Sequence, residues 1–269
     1  MTAPRARRRP AALRLLLSAL LVLPLAACGS GGGSGPGDAD GAGAGADGGD
    51  TALTVLAAAS LTDVLEEAKP LYESERGVEL RLSFAGSQEL AAQVREGVPA
   101  DVLVTADSTS MDGVADRTEG PVVIAENELT IVTAPGNPED VTGLADLARE
   151  DLTVVLAAPE VPVGRYGQQI LDEAGVRVNP ASQETNVRSV LTKVTLGEAD
   201  VGIVYATDAA SAGDRVATVT IPAAQNVLAE YPAAALSEAP NPVEAAAFVS
   251  WLRSDRAVEL LETAGFRVP

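Results

Sequence analysis

From Leu53 onward the chain alternates short apolar runs with stretches of helical period, and that alternation leaves few folds open to it. LTVLAA (53–58) has the length and composition of a buried strand. SLTDVLEEAKPLYESERG (60–77) follows, with Leu61, Val64, Leu65, Ala68, Leu71 and Tyr72 at three- and four-residue steps, which predicts a helix. Pro70 lies inside it and is expected to bend or shorten it. VELRLSF (78–84) alternates as a strand, SQELAAQVREG (87–97) returns to helix, and DVLVTA (101–106) reads as a buried strand.

A second series repeats the scheme. ELTIVTA (128–134), LTVVLAA (152–158) and DVGIVYA (200–206) read as strands. Helices are predicted through LADLARE (144–150), GRYGQQILDEAG (164–175) and NVRSVLTKVTLGEA (186–199). VATVTIP and EYPAAAL add further strand, and residues 242–266 close the chain as helix. This predicts an α/β architecture of mostly parallel sheets covered by helices on both faces. With aromatics at 3% of residues, the core must be built from Ala, Val and Leu.

What precedes this body is different. Residues 1–27 open on RARRRP and continue into LRLLLSALLVLPLAA, a secretory leader too short and too basic at one end for a permanent membrane span. Residues 28–50, beginning CGSGGGSGPG, are glycine and small residues that cannot bury enough apolar surface to order themselves, and read as a flexible tether. A single cysteine, Cys28, excludes an intrachain disulfide.

Charge and composition exclude whole classes of function. From Cys28 onward 14 Lys and Arg face 38 Asp and Glu, a formal charge of −24, which argues against nucleic acid as a partner. The sequence contains no histidine, so Ser-His-Asp catalysis, Cys-His catalysis and His-ligated metals are absent from its repertoire.

Three strand-to-helix turns carry the candidate chemistry. Ser60 and Ser87 each stand between a predicted strand and a predicted helix, and Asn186–Val187 opens the NVRSVL helix. In an open α/β sheet such turns gather at the carboxyl ends of the strands. There each helix start presents unpaired N–H groups and the positive end of a dipole, so converging starts form an anion site without lysine. Taken singly, each serine reads as an ordinary helix cap, and Ser60 with Asp63 resembles a capping box. Tyr205, ending the strand VGIVY, reads singly as a half-buried ring.

Taken together, AAASLTDVLEE, SFAGSQELAAQV, PADVLVTAD, PEVPVGRYG, NVRSVL and GIVYATDA, in this order, resemble the molybdate-binding proteins of ABC importers. The resemblance runs from about Leu53 to the carboxyl end and implies a two-lobed type II periplasmic-binding-protein fold. It implies a tetrahedral oxyanion, molybdate or tungstate, held by the hydroxyls of Ser60, Ser87 and Tyr205 and the backbone N–H groups of Val163 and Val187. Val163 stands where the family carries a smaller residue, and the contact expected there is from the backbone. No cofactor and no direct cation ligand are implied, since molybdenum enters as its oxyanion; Arg188 is expected to face solvent or a carboxylate rather than the anion. LAAC at Leu25–Cys28 resembles the lipobox of bacterial lipoproteins, implying a lipid anchor on Cys28 and an extracytoplasmic, membrane-tethered protein. The implied partner is the permease of a molybdate-type ABC importer, and the chain is expected to act as a monomer.

On this reading lobe 1 comprises 51–127 with 231–269 and lobe 2 comprises 128–230, the chain crossing near Asn127 and near Tyr231–Pro232. The nearest rival is the same fold holding another tetrahedral oxyanion such as sulfate. An enzyme with Ser60 as nucleophile and Lys193 or Tyr205 as base is a rival of another class, but neither a G-x-S-x-G elbow nor an S-x-x-K pair is present. A scaffold lipoprotein is a third.

Overall fold

The computed structural model describes residues 51–269; the leader, Cys28 and the tether lie outside the described residues. The first strand, β1 (Ala52–Ala58), runs into a single 3-10 turn (Ala59–Leu61) and then α1 (Thr62–Arg76). β2 (Glu79–Ala85), α2 (Ser87–Arg95), β3 (Val102–Val104) and α3 (Ser108–Asp112) follow. β2 and β3 both pair parallel to β1, with Val55 opposite Leu82 and Val102. Helical crossovers therefore give parallel neighbours here, as the alternation predicts.

β4 (Thr118–Thr133) is the longest strand and joins the two halves of the sheet. Its first part pairs antiparallel with β9 (Leu228–Leu236), and its last five residues pair antiparallel with β7 (Val201–Tyr205). β8 (Ala217–Thr220) also lies against that last part. β5 (Val154–Ala157) runs parallel to β7 and to β6 (Ser182–Glu184). The full order is β2-β1-β3-β9-β4-β7-β5-β6, with β8 off this path on β4. α4 (Pro162–Glu173), α5 (Val187–Thr195) and α6 (Ala206–Ala212) belong to the half around β5 and β7, while α7 (Pro242–Trp251) and α8 (Asp255–Thr263) follow β9.

The sheet is thus mixed, because the two strands that pass between its halves, β4 and β9, run against their neighbours. The early part of β4 carries Gly120 and Pro121, residue types that seldom sit inside a strand. The structure absorbs them in an irregularity between Glu119 and Val122, with Gly120 at φ 48°. The predicted helix at 144–150 is a short 3-10 turn, Leu144–Ala148, drawn tight where the Asp146 carboxylate accepts from Thr142 N at 2.7 Å and Thr142 Oγ1 at 2.8 Å. The carboxyl-terminal helix is two helices, since Ser254 caps a new start by accepting from Ala257 N. α1 runs through Pro70 unbroken; the carbonyl of Glu66, which loses its donor there, belongs to an exposed residue that water can serve.

The core is aliphatic, as composition requires, with Leu53, Leu61, Val102, Val104, Ile131, Ile203 and Val204 all but sealed from solvent. The few aromatics cluster. Tyr72, Phe248 and Trp251 pack where α1 meets α7. Tyr205, Tyr231 and Phe266 form a chain of edge contacts at centroid distances of 5.8 and 5.3 Å.

Candidate functional site

Four chain segments enter helix around one small pocket. The 3-10 turn after β1 brings Ser60, the start of α2 brings Gly86 and Ser87, the start of α4 brings Val161, Pro162 and Val163, and the start of α5 brings Asn186 and Val187. Tyr205 at the end of β7 and Ala106 after β3 complete the lining. All five residues singled out from the sequence, Ser60, Ser87, Val163, Val187 and Tyr205, therefore meet in one place. They are between 1 and 4% exposed. The segments close tightly around this pocket, so an occupant larger than a water molecule needs them to part.

The serines are not caps. The 3-10 turn follows Ala58 and α2 follows Gly86, and neither start carries a side-chain capping bond; Val161 before α4 has none either. Asn186 caps α5 but accepts from Ser189 N, leaving the N–H of Val187 at the very start of the helix. Ser60 Oγ instead lies 2.9 Å from Tyr231 Oη, and Ser87 Oγ accepts from Ala106 N at 2.9 Å. The Ala106 carbonyl accepts from Tyr205 Oη at 3.5 Å, so one residue steadies both Ser87 and Tyr205. Burial holds the Tyr205 hydroxyl well above its ordinary pKa, which keeps it a proton-bearing donor.

No lining residue carries a formal charge. Two serine hydroxyls and a set of helix-start amides make the pocket rich in donors, the long 3.5 Å bond from Tyr205 to the Ala106 carbonyl lets its hydrogen turn to an anion instead, and the positive ends of α2, α4 and α5 add to the attraction. Close packing fixes these starts. A Cβ on Gly164 would fall 2.0 Å from the carbonyl oxygen of Ala158, and one on Gly86 would fall 2.4 Å from that of Thr185.

Charges surround the pocket without entering it. Arg188, one residue past Val187, places Nε 2.6 Å from Asp208 Oδ1 and Nη2 2.7 Å from Asp63 Oδ2. Arg165, two residues past Val163, pairs with the buried Asp107. Gln88 Nε2 donates to Thr185 O at 2.8 Å. Of these, Arg188–Asp63, Arg165–Asp107 and Gln88–Thr185 tie the segments carrying Ser60 and Ser87 to those carrying Val163 and Val187. Arg188, expected to face solvent or a carboxylate, faces two carboxylates, and the sequence does not single out Asp107, Asp208 or Tyr231 as neighbours of the site. Among the described residues no group of three or more Cys, Asp or Glu is placed to hold a metal ion, and no helix is long and apolar enough to cross a membrane.

Comparison with known proteins adds the lineage. Residues 53–267 match the family model described as bacterial extracellular solute-binding protein. The molybdate-binding protein ModA of Mycobacterium tuberculosis (strain H37Rv) is 38% identical over 225 residues, covering 82% of this chain and 86% of the relative. Among solved structures, the periplasmic molybdate-binding protein of Azotobacter vinelandii superposes with a TM-score of 0.69 at 22% identity, over 81% of this chain and 99% of that one. The sulfate-binding protein SubI of Mycobacterium tuberculosis H37Rv superposes with a TM-score of 0.71 at 23% identity, over 81% and 87%. With an α/β body that matches over nearly its whole length, the chain belongs to the bacterial extracellular solute-binding protein family.

Proposed function

We propose that this protein captures molybdate or tungstate outside the cytoplasm and delivers it to the permease of an ABC importer. The observation that carries the reading is the uncharged pocket in which two serine hydroxyls, a tyrosine hydroxyl and four helix starts converge. Each hydrogen bond to a charged partner contributes about 1.5–3 kcal/mol net, so five to seven donors hold a buried dianion without a counter-charge. Neutral donors also reconcile anion binding with a chain at −24: repulsion is screened over about 8–10 Å, whereas the pocket acts at contact distance, so repulsion slows capture more than it weakens the complex. The name and 38% identity of the mycobacterial ModA relative support molybdate as the cargo.

In this reading the pocket lies between two lobes, 51–127 with 231–269 and 128–230, and the anion favours the closed arrangement in which all donors reach it. Support comes from β4, which leaves β9 at Glu128 and pairs with β7 from Leu129. A carrier role rather than an enzymatic one is supported by the match to solute-binding proteins and by Lys193, one candidate base, being engaged with Glu184 at 2.8 Å. A lipid on Cys28 holds the monomeric protein at the membrane through the 28–50 tether.

Sulfate is the second reading, favoured by the likeness to SubI. Calorimetric titration with molybdate, tungstate, sulfate and phosphate separates the two. Molybdate and tungstate are expected to bind with matching strength and sulfate and phosphate weakly, since no carboxylate lines the pocket to accept the proton of hydrogen phosphate. Saturable binding of sulfate with no response to molybdate would replace the first reading with the second.

A further inference from the structure

Behind Ser60 lies a set of buried polar groups whose direction follows from counting hydrogens. Asn127, on β4, uses its Oδ1 to accept from Glu128 N at 3.0 Å, which turns its amide nitrogen the other way. One N–H of that nitrogen meets Thr207 Oγ1 at 2.8 Å and the other meets Tyr231 Oη at 3.4 Å. Asn127, Thr207 and Tyr231 are 2, 5 and 0% exposed, so water does not complete their bonding. Tyr231 therefore accepts from Asn127, and its own hydrogen has Ser60 Oγ as its partner at 2.9 Å. With Tyr231 donating, Ser60 accepts from behind, and its own hydrogen is left for the pocket it lines.

We propose that Asn127 and Tyr231 are positioning residues of the anion site, a relay running Asn127→Tyr231→Ser60 that holds Ser60 as a donor and polarises its O–H toward the bound oxyanion; the proposal rests on the oxyanion reading above. Donors in series strengthen one another in a low-dielectric interior, and a hydroxyl already aimed loses less freedom when the ligand arrives. Ser87 is held in the same sense by a different device, the Ala106 N–H donating to its oxygen. Burial keeps the Tyr231 hydroxyl protonated far above its ordinary pKa, so the relay does not reverse with pH.

The relay also sits where the two halves of the sheet join. Asn127 pairs with Ala229 and Tyr231 with Ala125 across β4 and β9, whereas Thr207 comes from α6, directly after Tyr205. The donor that Ser60 presents is thus set by the strands that carry the chain from one half to the other.

The test is a double-mutant cycle read by calorimetric titration of the full chain with tungstate. Tyr231→Phe keeps the ring against Tyr205 and Phe266 and removes the relay hydroxyl; it is expected to weaken tungstate by about ten-fold. In a Ser60→Ala background the same change is expected to alter affinity by less than about two-fold, because the relay acts through Ser60. Asn127→Leu is the second variant, with a smaller loss that vanishes in the same background and that carries the test if Tyr231→Phe does not fold. Equal losses with and without Ser60, or no loss at all, would overturn the relay while leaving oxyanion capture standing. A wild-type chain that binds neither tungstate nor molybdate would overturn capture itself, and the relay with it.

Discussion

Replacing Ser60 and Ser87 together by alanine is expected to lower molybdate affinity by about 10²–10⁴-fold, with the folded body retained. Each hydroxyl offers a buried dianion one hydrogen bond worth about 1.5–3 kcal/mol, and 1.4 kcal/mol is a factor of ten. Either serine alone accounts for about the square root of the total. The change also removes two acceptors the protein uses, those facing Tyr231 Oη and Ala106 N. A drop of about 1–3 kcal/mol in unfolding free energy therefore accompanies each substitution, measurable by denaturant titration without ligand. Were the serines purely structural, stability would fall and affinity would survive. Were they ligand donors, affinity would fall much further than stability.

Replacing Arg188 by glutamine is expected to destabilise the protein by about 2–3 kcal/mol near pH 8, because it strands the carboxylate of Asp208 in the interior. Asp208 is fully buried, and desolvation raises its pKa from 3.8 to about 6 even though the Arg188 guanidinium pulls the other way. The sign of the pH dependence follows. Between about pH 4 and pH 6 the native state keeps a proton that the unfolded chain has released, so this group's effect on stability worsens as pH rises and levels off above its folded pKa. Without Arg188 the folded pKa climbs further, and protonation relieves the variant more than the wild type. Denaturant unfolding of both proteins should therefore show the deficit at pH 8 shrinking to a small remainder at pH 5. A deficit that is the same at both values would contradict the burial of an ionised pair. Asp63 behaves differently: partial burial raises its pKa, but the bond and charge of Arg188 outweigh that and hold it below its ordinary value, so it stays ionised throughout this range.

Much of this was legible in the sequence because local pattern and tertiary role coincide at the helix starts. LTVLAA ends where Ser60 begins, and the same residues that stop the strand supply the pocket. Gly86 before Ser87 and Asn186 before Val187 carry the same message, a tight approach followed by open amides. The unread parts depend on partners distant in the chain. TEGPVVIAEN hides the first half of β4, because Gly120 and Pro121 are types that seldom sit inside a strand and the bulge that accommodates them appears only once β9 pairs there. SQE at 182–184 is too polar and too short to read as a strand, yet it extends β5 in parallel. Tyr231 lies 171 residues from Ser60, and Asp208 lies 20 residues from Arg188 on another helix; neither pairing leaves a local trace. Asn127 and Tyr231 could be placed from the sequence as crossing points, but their hydrogen bonds could not.

Whether the converging helix starts hold one oxyanion is decided by anomalous diffraction from crystals grown with tungstate. A single strong tungsten peak per molecule is expected, placing the anion's oxygens within hydrogen-bond reach of Ser60 Oγ, Ser87 Oγ, Tyr205 Oη and the amides of Val163 and Val187. A peak beside Arg188 and Asp63 instead, or a pocket left empty at saturating tungstate, would contradict that placement.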